Sequence, residues 1–233
     1  MRTLFLILLF QLGVCASAQT PVEATQYTSF WLWAGVKPQP VLAKAHEVYI
    51  LQGQISEQAN KPVFIPQGIP VPRLKTPVVW LSYRVESLNW SQAIILQINQ
   101  QITRWKQANN HVYGIQIDFD ARTLRLKEYT SFLMTLRRQL PNNLHLSITG
   151  LLDWSSNSTP EDLSGLKSVV DEVVIQTYQG KQTIPNYQNY LTKLQRLHLP
   201  FKLGLIQEGE WQSPRWLVQH PSFKGYVVFL KNH

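Results

Sequence analysis

Two carboxylates set two residues apart at the tip of an apolar stretch are the first sign of chemistry in this 233-residue chain. In His111-Val112-Tyr113-Gly114-Ile115-Gln116-Ile117-Asp118-Phe119-Asp120-Ala121, three apolar residues (Ile115, Ile117, Phe119) alternate with three polar ones (Gln116, Asp118, Asp120). A period of two places the polar three on one side of a strand and the apolar three on the other. Acids buried without partners are costly, so Asp118 and Asp120 must either be solvated in a cleft or be held by neighbours, and clefts are where proton transfer is performed. The structural alternative is that Asp118 accepts hydrogen bonds from Arg84 or Arg122 as a buried pair.

The elements that must position these acids follow from periodicity. Strands are predicted over 26–36, 46–53, 78–85, 111–121, 144–151, 172–179, 201–207 and 225–230. Ile94, Ile95, Ile98, Ile102 and Trp105 form one helical face behind a Ser91 cap, and Leu126, Tyr129, Phe132, Leu133, Leu136 and Leu140 form another that Pro141 stops. Thr159-Pro160-Glu161-Asp162 has the residues of a helix start, 186–197 has helical spacing, and Ser213-Pro214 opens a short helix. Between residues 58 and 77 the prolines Pro62, Pro66, Pro70, Pro72 and Pro77 leave no room for a long helix. Eight strands alternating with helices from the third onward predict an α/β fold, a compact (β/α)8 TIM-like barrel with reduced helices around strands one to three. An open doubly wound sheet competes, but the glycine-rich phosphate turn expected after its first strand is absent.

The start of the chain reads as a targeting segment. Residues 4–14 are apolar, too short for an ordinary span, and lead into Ala16-Ser17-Ala18. A signal peptide over 1–18 would leave a single barrel domain over 19–233, exported to the periplasm or medium and without a cysteine. Lipid attachment at Cys15, after Leu12-Gly13-Val14, is the alternative, giving an envelope lipoprotein. The net charge of +8 is spread thinly, with Arg137-Arg138 the only adjacent pair, so nucleic acid is not expected as a partner. The six histidines show no paired metal spacing, and neither a metal nor a cofactor is expected. A monomer is expected.

Barrel enzymes place reacting groups where strands end, and these ends are polar. They carry Trp31 and Trp33, Gln52 and Gln54, Tyr83 and Arg84, Asp118 and Asp120, and Thr149 with Asp153 and Trp154. Gln176 and Tyr178, then Gln207, Glu208 and Glu210, and finally Lys231 complete the rim. Acids and amides bind hydroxyls while indole faces stack on sugar rings, so the candidate ligand is carbohydrate. Gln116, Arg84, Trp33, Trp154, Gln176 and Glu208 are the candidate ligand-binding residues. Each has an ordinary reading as well: a core indole for the tryptophans, a satisfied core tyrosine for Tyr178, a solvated loop for Glu208.

Gly114-Ile115-Gln116-Ile117-Asp118-Phe119-Asp120 resembles the fourth-strand signature of family 18 glycoside hydrolases, the chitinase-like barrels, which runs glycine, apolar, Asp, apolar, Asp, aromatic, Glu. Val174-Ile175-Gln176-Thr177-Tyr178 is similar to that family's sixth strand. The resemblance implies Asp120 as general acid, Asp118 as its supporting aspartate and Tyr178 as the hydroxyl assisting the substrate's acetamido group. Three positions depart from the family: Asp120 stands for Glu, Gln116 for Asp and Phe229 for the last strand's tryptophan. The shorter Asp120 withdraws its carboxyl by roughly an ångström, a misplacement that can cost ~10²-fold in rate. Most of the chain also resembles a bacterial domain family of unknown function, through Gln116 to Asp120, Arg122, Leu126 to Tyr129 and Leu146 to Trp154. The expected activity is O-glycosyl hydrolysis of a polysaccharide or glycan. A non-catalytic carbohydrate-binding barrel and an envelope interaction protein are the alternatives.

Overall fold

The computed structural model describes residues 20–119, 125–154 and 160–232. Eight parallel strands form its centre: β1 (Ser29–Leu32), β2 (Glu47–Gln58), β3 (Val78–Val85), β4 (Val112–Asp118), β5 (His145–Leu151), β6 (Glu172–Gln176), β7 (Phe201–Ile206) and β8 (Phe223–Phe229). Each pairs with its successor, and β8 pairs with β1, so the sheet closes into a barrel. The expected barrel is therefore the observed architecture. Among the described residues four α-helices cover it: α1 (Gln92–Gln107), α2 (Leu126–Gln139), α3 (Pro160–Lys167) and α4 (Gln188–Leu194). Among the described residues no helix is long and apolar enough to cross a membrane.

Helices are lacking between β1 and β2, between β2 and β3, and between β7 and β8. A five-residue 3-10 helix, Pro40–Lys44, fills the first of these connections. In the second, β2 runs on past the expected end at Gly53 and turns back through Lys61–Pro66 as an antiparallel hairpin. Ala59 and Asn60 both have positive φ at the turn, +47° and +60°, the geometry of a tight hairpin turn. Ala-Asn is not the Asn-Gly pair that announces such a turn, and Pro62 and Pro66 argue against a strand unless it lies at an edge, as this one does. In the third connection the helix expected after Ser213-Pro214 is a single 3-10 turn, Leu217–Gln219.

The helices form for the reasons their spacing implies. Ile94, Ile95, Ile98, Ile102 and Trp105 are all buried on α1, and Asn109, at φ +59°, turns the chain out of it. Ser91 occupies the N-cap position but makes no side-chain cap bond. Leu126, Tyr129, Leu133 and Leu136 are the buried stripe of α2.

Strand alternation divides the core in two. Ile115, Ile117 and Phe119 belong to the outer core between barrel and helices. The interior is filled instead by Trp31, Tyr49, Trp80, Val174 and Val227, with Trp33, Tyr178 and Phe229 toward the strand ends. Two strand glycines make room for these rings. A Cβ on Gly114 would collide with the Trp80 ring and the His145 carbonyl, and one on Gly204 would lie 2.5 Å from Trp31 Cζ3. Gly114 is thus a packing requirement of the interior indole.

Candidate functional site

A column of polar groups rises through the barrel and ends beneath the mouth. At the strand-start end, Lys202 Nζ of β7 donates to both Glu47 oxygens of β2 at 2.7 Å and lies 3.1 Å from Glu172 Oε2 of β6. Tyr49 Oη donates to Glu172 Oε1 at 2.6 Å, and Trp80 Nε1 to Glu47 Oε1 at 2.8 Å. Burial alone would raise the Glu47 carboxyl, yet the Lys202 ammonium and the donors Trp80 and Ser29 bring it below its ordinary range. Burial opposes the Lys202 ammonium, but Glu172 and Glu47 outweigh it and raise its pKa. Burial and these same two carboxylates push the Tyr49 phenol well up. Tyr49 is therefore a neutral donor at all ordinary pH.

Higher up, Ser147 Oγ donates to Glu172 Oε1 at 2.9 Å and accepts from Gln116 Nε2 at 3.1 Å. Gln116 Oε1 in turn accepts from Trp31 Nε1 at 2.6 Å and Ser82 Oγ at 3.2 Å. Gln116, expected to contact a ligand, is fully buried, and its amide is held by three protein side chains. Trp154 is 3 % exposed and packs in the outer core, the ordinary reading of such an indole. Gln52 points outward, where its Oε1 accepts from Trp105 Nε1 at 2.7 Å. A register shift between Leu51 and Gly53 changes the facing of β2 there.

The mouth gathers the other candidates. Asp118, half-buried at the end of β4, accepts a 2.9 Å hydrogen bond from Thr149 Oγ1 of β5. Arg84 is exposed on β3 and stands in register with Asp118. Tyr178 follows β6, held in a two-residue antiparallel pairing with Gln182–Thr183. Its ring lies 5.5 Å from Phe229 and 6.3 Å from Trp31, and Phe229 lies 5.7 Å from the half-buried Trp33. A cavity of about 460 Å³ opens beside it, lined by Asp153, Gln176, Tyr178, Ile184 and Tyr190 among others. Glu208 lies on the β7 side of the rim with its carboxylate 3.0 Å from Lys231 Nζ. Asp120 and Arg122, like the signal-peptide and Cys15 expectations, lie outside the described residues, as does the Thr159 cap.

Asp153 and Tyr190 are the mouth groups that sequence reasoning did not select. Asp153 stood among the polar strand ends. Tyr190 lay in a helix whose inner face the sequence left undefined, and it lines the cavity from α4. A larger cavity, about 610 Å³, lies on the barrel flank between the connection after β3 and α2, with Trp90 and Phe132 in its wall. Neither Asp118 nor Tyr178 lines it.

Eight closed parallel strands with helices outside them define the class: an α/β barrel of the TIM type. Residues 71–185 match the family model described as a domain of unknown function, DUF3142. No curated protein matches the chain in sequence. Among solved structures, the xylanase and α-amylase inhibitor protein XAIP-II from Scadoxus multiflorus superposes with a TM-score of 0.52 at 12% identity, over 87% of this chain and 92% of that one. The chitinase domain of the spore coat protein CotE from Clostridium difficile gives 0.49 at 14% identity, over 87% and 70%. Concanavalin B gives 0.46 at 13%, over 89% and 94%. At such identities the likeness is one of fold.

Proposed function

We propose that the barrel mouth receives a glycan and that the protein is an exported O-glycosyl hydrolase-like enzyme, with Asp120 as general acid, Asp118 supporting it and Tyr178 positioning the sugar. The observation that carries this reading is the convergence of Asp118 on β4 and Tyr178 after β6 at one mouth, beside a cavity that also presents Asp153, Gln176 and Tyr190. Carboxylates, an amide and phenols suit the hydroxyls and apolar faces of a sugar ring. The alternation of the sequence assigns Asp118 and Asp120 to one side, and two carboxylates so placed would each disfavour ionisation of the other, which is what a proton donor at neutral pH requires. Arg84, Trp33 and Glu208 would extend contacts along the rim. Export would follow removal of residues 1–18, or attachment by a lipid on Cys15.

The second reading, binding without turnover, is favoured by Gln116. A neutral amide held by Trp31, Ser82 and Ser147 stands where the resemblance implies an aspartate, so Gln116 adds no carboxylate next to Asp118 to bias its protonation.

Both readings are tested by screening the purified protein and Asp120→Asn against a panel of polysaccharides for reducing-end release and for binding. Turnover lost in Asp120→Asn supports the hydrolase. Binding without turnover in both proteins assigns the mouth to recognition alone, and neither binding nor turnover removes the glycan reading.

A further inference from the structure

Seven exposed cations that look scattered in the sequence are drawn by the fold to one end of the barrel, while Lys37, Lys61, Arg84, Arg125, Lys127 and Lys181 lie toward the mouth among the exposed acids. Each strand from β2 to β8 is entered with an exposed cation. Lys44, Lys75 and Lys106 precede β2, β3 and β4. Arg138, Lys167 and Arg196 precede β5, β6 and β7, and Lys224 is the second residue of β8. His46, His111 and His198 are exposed on the same connections. Parallel strands in a closed barrel all start at one end, so these side chains ring the face opposite the mouth.

Acids are sorted the other way. Among the described residues the exposed carboxylates are Glu23, Glu57, Glu86, Glu128, Glu208 and Glu210. All lie near strand ends, on the first turn of α2, or, for Glu23, beside the Val22–Glu208 backbone pairing. The acids at the strand-start end are already engaged: Glu47 and Glu172 are buried on Lys202, and Asp171 lies 3.0 Å from Arg137. Cations are favoured at helix C-termini, which also sit at this end, but four C-termini of about half a negative charge each amount to roughly two charges. That is far short of the ring's seven.

We propose that this face docks peripherally on an anionic phospholipid surface, leaving the mouth turned away from it. A planar partner fits better than a linear polyanion because the cations surround the barrel axis, whereas a polymer track would gather them in a stripe. An interfacial anchor accompanies them. Val218 is 75% exposed and adjoins the half-buried Trp216, whose ring lies 6.0 Å from that of His220, in the turn leading to β8. An indole beside an exposed aliphatic residue is suited to the headgroup boundary. This inference does not depend on what the mouth binds.

Co-sedimentation with phospholipid vesicles tests it. The purified protein should sediment with phosphatidylcholine vesicles containing phosphatidylglycerol at low salt, less at high salt, and not with phosphatidylcholine alone. One cation near such a surface is worth about fivefold in partitioning, so the triple variant Lys44→Glu, Lys106→Glu, Lys167→Glu should partition at least about a hundredfold more weakly. Circular dichroism would verify that it is folded. Lys61→Glu with Lys181→Glu, at the mouth end, should partition like the wild type. Equal sedimentation of the triple variant and wild type overturns the proposal, as does equal binding to neutral vesicles. Capture by soluble dextran sulfate without vesicle binding also overturns it and reassigns the face to a polymer.

Discussion

Trp31 Nε1 donates to Gln116 Oε1 at 2.6 Å, joining β1 to β4 across the interior of the barrel. The bond lies at the top of a column that begins at Lys202 and ends beneath Asp118, so Gln116 serves here as a structural link. Replacing Gln116 with Leu would orphan the Trp31 and Ser82 donors and leave Ser147 without its incoming bond. At about 1–3 kcal/mol for a buried polar group left unpaired, Gln116→Leu should destabilise by at least about 2 kcal/mol. Urea denaturation would measure this, and a change below about 0.5 kcal/mol would show that the column contributes no cohesion.

Lys202 neutralises one of two buried carboxylates and hydrogen-bonds both partners. Lys202→Met should cost about 3–5 kcal/mol, the range for breaking a buried pair from one side. Adding Glu47→Gln and Glu172→Gln to that variant should recover part of the loss, because no uncompensated charge then remains. Three equilibrium unfolding curves decide the matter; a triple variant less stable than Lys202→Met contradicts the account.

The same cluster sets a pH window. Glu47 titrates lower folded than unfolded, so its contribution is present above the ordinary carboxylate range and is lost as pH falls through its depressed value. Lys202 titrates higher when folded, so its contribution is complete below the ordinary lysine value and is lost as pH rises through its elevated one. Stability should therefore be flat between about pH 5 and pH 10 as far as these two groups are concerned, and fall on either side. Melting temperature against pH should show both losses in the wild type, and the alkaline one should be smaller in Lys202→Met.

Gly204 faces the Trp31 ring, with 2.5 Å to Trp31 Cζ3 from the Cβ an alanine would bring. Gly204→Ala should cost about 1–3 kcal/mol by overpacking. Pairing it with Trp31→Phe, which opens space but removes the donor to Gln116, should give less than the sum of the two single costs. Additivity in thermal unfolding would place the strain elsewhere.

At the mouth, Tyr178→Phe keeps the ring against Phe229 and Trp31 and deletes only the hydroxyl. Its melting temperature should change by no more than a few degrees, while glycan affinity or turnover falls about tenfold, the effect of one lost hydrogen bond near 1.4 kcal/mol. Thr149→Val, which removes the donor to Asp118, should shift the pH profile of any turnover. Activity unchanged in both variants would separate the mouth from the glycan.

The local elements were legible because each is written in a short window. The buried face of α1 from Ile94 to Trp105, the stripe of α2 and the alternation in β4 are patterns of neighbours, and neighbours are fixed by 3.6- and two-residue periods. The strand count gave the closed barrel. The hairpin at Ala59-Asn60 escaped because its turn lacks the Asn-Gly pair and is followed by Pro62, and Gln52 faced the wrong way because a bulge in β2 cannot be seen without its partner strand.

What the sequence alone determined, then, is the barrel, the facing of Gln116 and Asp118 to one side of β4, and the presence of polar strand ends. Tertiary structure decided which side was which: the polar residues of β4 face the interior and the apolar ones the helices. It decided that Gln116 is consumed by Trp31, Ser82 and Ser147, each from a different strand. It also decided that cations spaced tens of residues apart share one face. Those outcomes depend on contacts between positions distant along the chain, and the closure of β8 onto β1 is what brings such positions together.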